Sequence, residues 1–265
     1  MARPRDFEEG QQVRFTGRSA TSSDRRRAGL VLLLSLALAW GGAGLAQPVP
    51  HEGIAGGEEW VAGDFVAAYE LSSPVDTAAS QLLAARAAAD QAVYVETDSE
   101  LAQEWLRRSE TSAARAIELA PAGPTAGAAN MALARAKGES ALYRGALSNT
   151  RVPGELRALF ERALELDHDN ADALVALAAW HLELTERGVG WLYGASRDQV
   201  LPLMARGVAA APEQVNLRVE YAVALKALGS EEEAREQLGI AMALPATTAA
   251  DEYEQDRARG LLAGE

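Results

Sequence analysis

The sequence predicts an all-α fold, a solenoid of about four helix pairs with a C-terminal capping helix. Three observations predict it. From Thr77 onward Ala, Leu, Glu, Arg and Gln dominate, and all are good helix formers. No apolar–polar alternation long enough for a convincing strand is present; "QAVYVET" comes nearest and sits inside a longer helical stretch. Four segments also end alike: "SAARAIELAP", "ALFERALELDH", "LPLMARGVAAAP" and "EQLGIAMALP".

Each of the four carries a small residue at one position: Ala116, Ala163, Gly207 and Ala241. Three residues earlier stand Ala113, Phe160, Met204 and Leu238, on the same helix face. Pro121, His168, Pro212 and Pro245 follow the small residues closely. A small residue lets two antiparallel helices approach, a larger one fills the gap to the previous unit, and proline stops the helix.

The elements follow in order. Residues 47–76, with "PVPHEG" and "GIAGG", read as a linker or arm, in which "EEWVAGDFVAAYEL" makes a short helix or an extended strap. The expected pairs are 77–96 with 99–119, 124–147 with 153–166, 170–186 with 196–210, and 215–228 with 230–243. Gly229 is expected to make the last turn, and Ser230 with Glu233 a capping box. A final helix over 249–263 covers the open end, as stacked repeats require. In the third unit "TERGVGWLYGASRDQ" is too long for a plain turn and reads as an inserted loop.

This arrangement resembles the tetratricopeptide repeat (TPR), most closely in "NLRVEYAVALKALGSEEEAREQLGIAMALP". The small residues are 47, 44 and 34 positions apart, and only the last spacing matches the repeat's usual period of roughly 34 residues. The degenerate early units, the "WLYGAS" insertion and "ALPATTAADEYEQDRARGLL" after the last unit resemble a divergent TPR class. That class includes microtubule-dynamics-regulator-like proteins and the exported T components of TRAP-type transporters, and the similarity covers about residues 120–263. It implies a scaffold that binds on its concave face, lined by the first helix of each pair. Trp180, Glu183, Asn216 and Lys226, with Trp191 and Tyr193 of the insertion, are the candidate binding residues it implies.

The first 46 residues are of another character. Arg25, Arg26 and Arg27 precede the uncharged run "AGLVLLLSLALAWGGAGLA" over 28–46, and Gly44 and Ala46 precede a cut before Gln47. The expected reading is a cleaved signal peptide and a periplasmic or secreted protein. The alternative is an inner-membrane anchor, because this run is about long enough to span a bilayer. These residues hold seven arginines against four acids, so the remainder is more acidic than the whole chain, whose net charge is −13. Such a field repels nucleic acid and anionic lipid, which excludes nucleic-acid binding and leaves membrane contact only to an uncleaved N-terminal segment.

Chemistry-bearing motifs are sparse. With no cysteine, thiolate metal sites and disulfides are excluded. His51, His168 and His181 have no partner at metal spacing, and "ELDHDNADAL" lacks the glycine and glutamate of a calcium loop, so Asp169 or Asn170 reads as a helix cap. "GVGWLYG" is no phosphate loop, and no G-x-S-x-G occurs. The expectation is therefore a non-enzyme with no catalytic residue, metal or cofactor, whose partner is a protein, a peptide or a small organic solute. The main rival is a TRAP-type accessory protein holding an organic solute in an apolar channel. An enzyme would instead show clustered titratable groups with displaced proton affinities in a cleft.

Overall fold

Side-chain volume at four positions decides how the helices of this chain approach one another. The computed structural model describes residues 51–143 and 150–264, and all regular structure among them is helical. In chain order the helices are α1 Gly57–Val61, α2 Phe65–Ser72, α3 Ala78–Asp90, α4 Ser99–Leu119, α5 Pro124–Tyr143 and α6 Val152–Leu166. They continue as α7 Ala171–Glu186, α8 Gly190–Tyr193, α9 Val200–Ala210, α10 Val215–Ala227, α11 Glu231–Ala243 and α12 Ala249–Ala263. A π-turn, Gln91–Val95, extends α3, and a 3₁₀ turn, Arg197–Gln199, precedes α9.

The expected hairpins are present as α3/α4, α5/α6, α7/α9 and α10/α11, each packed on the next, with α12 against α10 and α11. The chain is an all-α, TPR-like solenoid of four pairs with a C-terminal helix on the last. Ala116, Ala163 and Ala241 are fully buried where the helices cross. At Gly207 a Cβ would stand 2.6 Å from Val175 Cγ2 and 3.0 Å from the Ala171 carbonyl oxygen, so α9 lies closer to α7 than any side chain allows. Ala113, Phe160, Met204 and Leu238, three residues earlier, are buried in the seams between helices.

Local signals set the helix starts. Asn170 Oδ1 accepts from the Ala173 amide (2.9 Å) and Asp98 Oδ1 from Glu100 and Leu101 (2.8 and 3.0 Å), satisfying donors that a first turn leaves open. The capping box expected at Ser230 and Glu233 is not formed. Ser230 sits at φ −92°, ψ 66°, away from the extended conformation that aims a cap side chain at the helix, and its hydroxyl accepts nothing from the first turn. Gly229, at φ 88°, turns the chain as expected, and three glutamates in the first turn favour the α11 N-terminus instead. Among the described helices a capping box is formed at Thr248 and Asp251, opening α12.

Of the alternatives open for 47–76 and for the insertion, the structured one is present in both. The segment 47–76 is not a free linker from Gly57 onward, because α1 and α2 fold back on α3. Trp60, Phe65 and Ala68 there form one core with Leu83 and Ala87. The inserted loop between α7 and α9 is folded, containing α8 and the 3₁₀ turn, with Gly188 and Gly194 at positive φ.

The last helix does more than cover an end. Ala249 joins the Trp60–Phe65 core, and its Cβ is 2.8 Å from where one would stand on Gly63. The Tyr253 and Tyr94 rings stack at 5.0 Å with 3° between planes. Tyr94 Oη donates to Glu254 Oε1 at 3.1 Å. The start and the end of the stack therefore meet, and its inner side is closed over, with Asp90, Arg135, Glu139 and Glu220 buried there. No described helix is long and apolar enough to cross a membrane; the 28–46 run lies outside the described residues.

Candidate functional site

Each first helix has three faces, and two are taken by apolar packing. On α10, Leu217 and Ala224 face the preceding pair, while Val215, Val219, Ala222 and Leu225 face α11 and α12. Asn216 and Glu220, one turn apart, are buried without belonging to either seam. The same remainder holds Arg86 and Asp90 on α3, Arg135 and Glu139 on α5, and Asp172 on α7. Together these faces line the enclosed inner side of the stack.

Asp90 is fully buried and accepts from Trp60 Nε1 at 2.7 Å and from Arg135 Nη1 at 2.6 Å. Immediately after it, the π-turn widens the helix and carries Tyr94 toward α12, a use of π geometry common at functional positions. The Arg135 guanidinium lies 5.7 Å from the Tyr94 ring centre. Across the concavity, Arg257 Nη1 donates to Glu220 Oε1 at 2.7 Å and Glu254 Oε2 at 3.1 Å.

The buried charges lie close enough to act on one another's proton affinities. Burial pushes the Glu139 carboxyl to about 8; Arg135 opposes the shift, and Glu220, two hairpins away, adds to it. Burial likewise raises Asp172 to about 7 against the fields of Arg86 and Arg135. Glu220 rises to about 7 by burial, against Arg257. Burial works against the Arg135 charge, but Asp90, Tyr94 and Glu139 outweigh it and hold the group above its ordinary value. Asp172 and Tyr94 keep some accessible surface, yet desolvation raises both. Partial access combined with strong desolvation is what a narrow enclosed space gives its lining.

Several of these groups make no hydrogen bond: Arg135 Nε and Nη2, Glu139 Oε1 and Asn216 Oδ1. Native interiors pair nearly all buried polar atoms, so four open positions on facing helices call for a partner. Among the described residues no group of three or more His, Asp or Glu side chains could hold a metal ion.

The six residues proposed from the sequence are not brought together. Asn216 is in this inner lining, and Glu183 lies on the α7 face of Asp172, three turns on, paired with Arg187. Trp180 packs instead between α5, α6 and α7, its Nε1 donating to the Pro153 carbonyl at 2.9 Å. Tyr193 packs on the same core and donates to the Thr150 carbonyl at 3.0 Å. Trp191 is 82% exposed at the tip of α8, and Lys226 is exposed on α10. His181 anchors the insertion, its Nδ1 accepting from the Ser196 amide at 3.0 Å, and burial lowers its proton affinity. Arg86, Asp90, Arg135, Glu139, Asp172, Glu220, Glu254 and Arg257 were missed as a site. For Arg86 with Asp90 and Arg135 with Glu139 the signal was a lone opposite pair at i, i+4 inside an alanine-rich helix, as in "AARAAAD"; Asp172 and Glu220 carried no such signal.

Among solved structures the chain is similar to the crystal structure of MamA protein, at 13% identity and a TM-score of 0.40, over 77% of this chain and 91% of that one. No family model and no curated protein matches the sequence.

Proposed function

We propose that this chain is a non-enzymatic helical scaffold that binds a small polar ligand or a short peptide segment against the inner faces of α3, α5, α7 and α10. One observation carries the reading: the unmade hydrogen bonds of Arg135, Glu139 and Asn216, all buried and all on those faces. Left unmet, each costs about 1–3 kcal/mol, a cost that a bound ligand or an ordered water relieves. Export by the 28–46 segment belongs to the same proposal, placing the scaffold in the periplasm or outside the cell.

The enclosure of the concavity favours a second reading, an accessory protein that holds an organic solute for a transporter of the TRAP type. The lining is charged, so the solute would be polar, in place of the apolar channel expected from sequence. The carboxyls with raised proton affinities meet the condition set for an enzyme. Binding is the simpler role, because Asp90, Glu220 and Glu254 are already engaged by arginine, indole or phenol donors.

Native mass spectrometry of the mature chain purified from its own periplasm tests the proposal. A small-molecule adduct on the wild type, lost in Arg135→Gln, is expected. A stoichiometric protein partner would replace the small ligand by a peptide segment. A chain that carries neither adduct nor partner, and that gains none from a periplasmic extract, contradicts the proposal.

A further inference from the structure

Arg135 and Glu139 stand one turn apart on α5, both at least nine-tenths buried. Opposite charges at this spacing ordinarily pair with each other. Here they share no hydrogen bond: Arg135 commits Nη1 to Asp90 and leaves Nε and Nη2 open, while Glu139 Oε1 has no donor. Nε–H and Nη2–H lie along one edge of the guanidinium, and two parallel N–H groups on one edge are the fork that grips a carboxylate at both oxygens. The open acceptors, Glu139 Oε1 and Asn216 Oδ1, call for N–H donors.

Resting on the inner-face reading above, we infer that the ligand is a small zwitterion of the amino-acid type, its carboxylate on the free edge of Arg135 and its ammonium between Glu139 and Asn216. The spacing fits, because side chains one helical turn apart have Cβ atoms about 5–6 Å from each other. A carboxylate and an amine separated by one or a few carbons span that gap. The charge balance fits as well. Arg86 and Arg135 are already faced by Asp90 and Asp172. A zwitterion brings one charge of each sign, each set against its opposite on the lining. A simple carboxylate would leave the two acceptors unmet, and a simple amine would leave the arginine edge unmet.

Glu139 is faced by Arg135 and Tyr143 on its own helix, Glu220 of α10 and Arg257 of α12. With its carboxyl raised to about 8, much of it is protonated at neutral pH, and an incoming ammonium displaces that proton. Binding should therefore tighten as pH rises from 6 toward 9, until the ligand amine itself titrates.

The experiment uses the full mature chain, freed of ligand by partial unfolding and refolding. A thermal-shift screen of the twenty standard L-amino acids, with β-alanine and 4-aminobutyrate, is followed by calorimetry of each hit beside its N-acetyl and C-amide forms. The inference expects at least one zwitterion to bind and either blocked form to bind at least about tenfold more weakly. Glu139→Gln should weaken the zwitterion by a similar factor, and the blocked analogues test the same point on unaltered protein. Blocked and free forms binding equally would overturn the assignment. If the zwitterions fail while succinate or an acidic peptide binds in an Arg135-dependent way, the zwitterion is wrong and the inner-face scaffold stands. If nothing in any of these classes binds, both fall.

Discussion

Asp90→Ala is expected to destabilise the folded chain by about 3–5 kcal/mol, the usual cost of stranding one member of a buried ion pair. Asp90 is fully buried and is the acceptor for both Trp60 Nε1 and Arg135 Nη1. Without it the Arg135 guanidinium remains at 5% exposure with no carboxylate bonded to it, and an indole N–H of the α1 core loses its partner. The double variant Asp90→Leu/Arg135→Met removes both charges together. It should recover most of the loss, since replacing a buried pair by apolar side chains of similar volume is often close to neutral. Urea denaturation checks this through the midpoint at unchanged slope. A single variant within about 1 kcal/mol of wild type would mean that Asp90 is not the anchor between α1, α3 and α5.

Arg257→Ala is expected to have an effect of similar size that depends on pH. Arg257 is the donor to Glu220 and Glu254, both almost wholly buried, and their fields hold its proton affinity above the ordinary value despite burial. Near pH 8 its loss leaves two buried carboxylates unpaired, at about 3–5 kcal/mol. Near pH 5 both can take a proton, and the cost falls to about 1–2 kcal/mol for the lost hydrogen bonds. The wild type is expected to show the same trend more weakly. Folding raises Glu220 from 4.5 to about 7, Glu139 from 4.5 to about 8 and Asp172 from 3.8 to about 7. These groups hold their protons more tightly when folded. The stability they contribute is complete below their unfolded values and is lost as pH rises through 7 and 8. Chemical denaturation at pH 5 and pH 8.5 on both chains checks the sign; a variant equally destabilised at both would contradict it.

The hairpin stack was legible in the sequence because its determinants are local and periodic. Ala116, Ala163, Gly207 and Ala241 mark crossings through their own small volume, and Asn170 marks a helix start through its own side chain. The inner site was legible only in fragments. Arg86 with Asp90, Arg135 with Glu139 and Glu254 with Arg257 all have a spacing that equally describes a solvated helix face. Which face turns inward is settled when α12 meets the first hairpin, through Tyr94 with Glu254 and Gly63 with Ala249, and those contacts are far apart in the chain. Trp180 was expected in the lining from its place on the first helix of its pair and lies instead in an interhelix seam, where large aromatics add most to packing. At Ser230 the residue types of a cap are present, but the backbone leaving Gly229 turns the hydroxyl elsewhere.

The central claim is that the last helix closes the stack onto its beginning and so encloses the charged inner faces. The chain has no cysteine, so one introduced pair reports on that closure without background. In Gly63→Cys/Ala249→Cys the two Cβ atoms start 2.8 Å apart, and a disulfide needs about 3.8 Å, so the turn must open slightly and the cysteine replacing Gly63 must take up the strain of a positive φ of 84°. Mild oxidation of the folded chain, followed by thiol counting and intact mass, is the measurement. The account predicts a single intrachain disulfide formed to near completion in the folded protein and not in either single variant. Two free thiols persisting in folded, oxidised protein would contradict it.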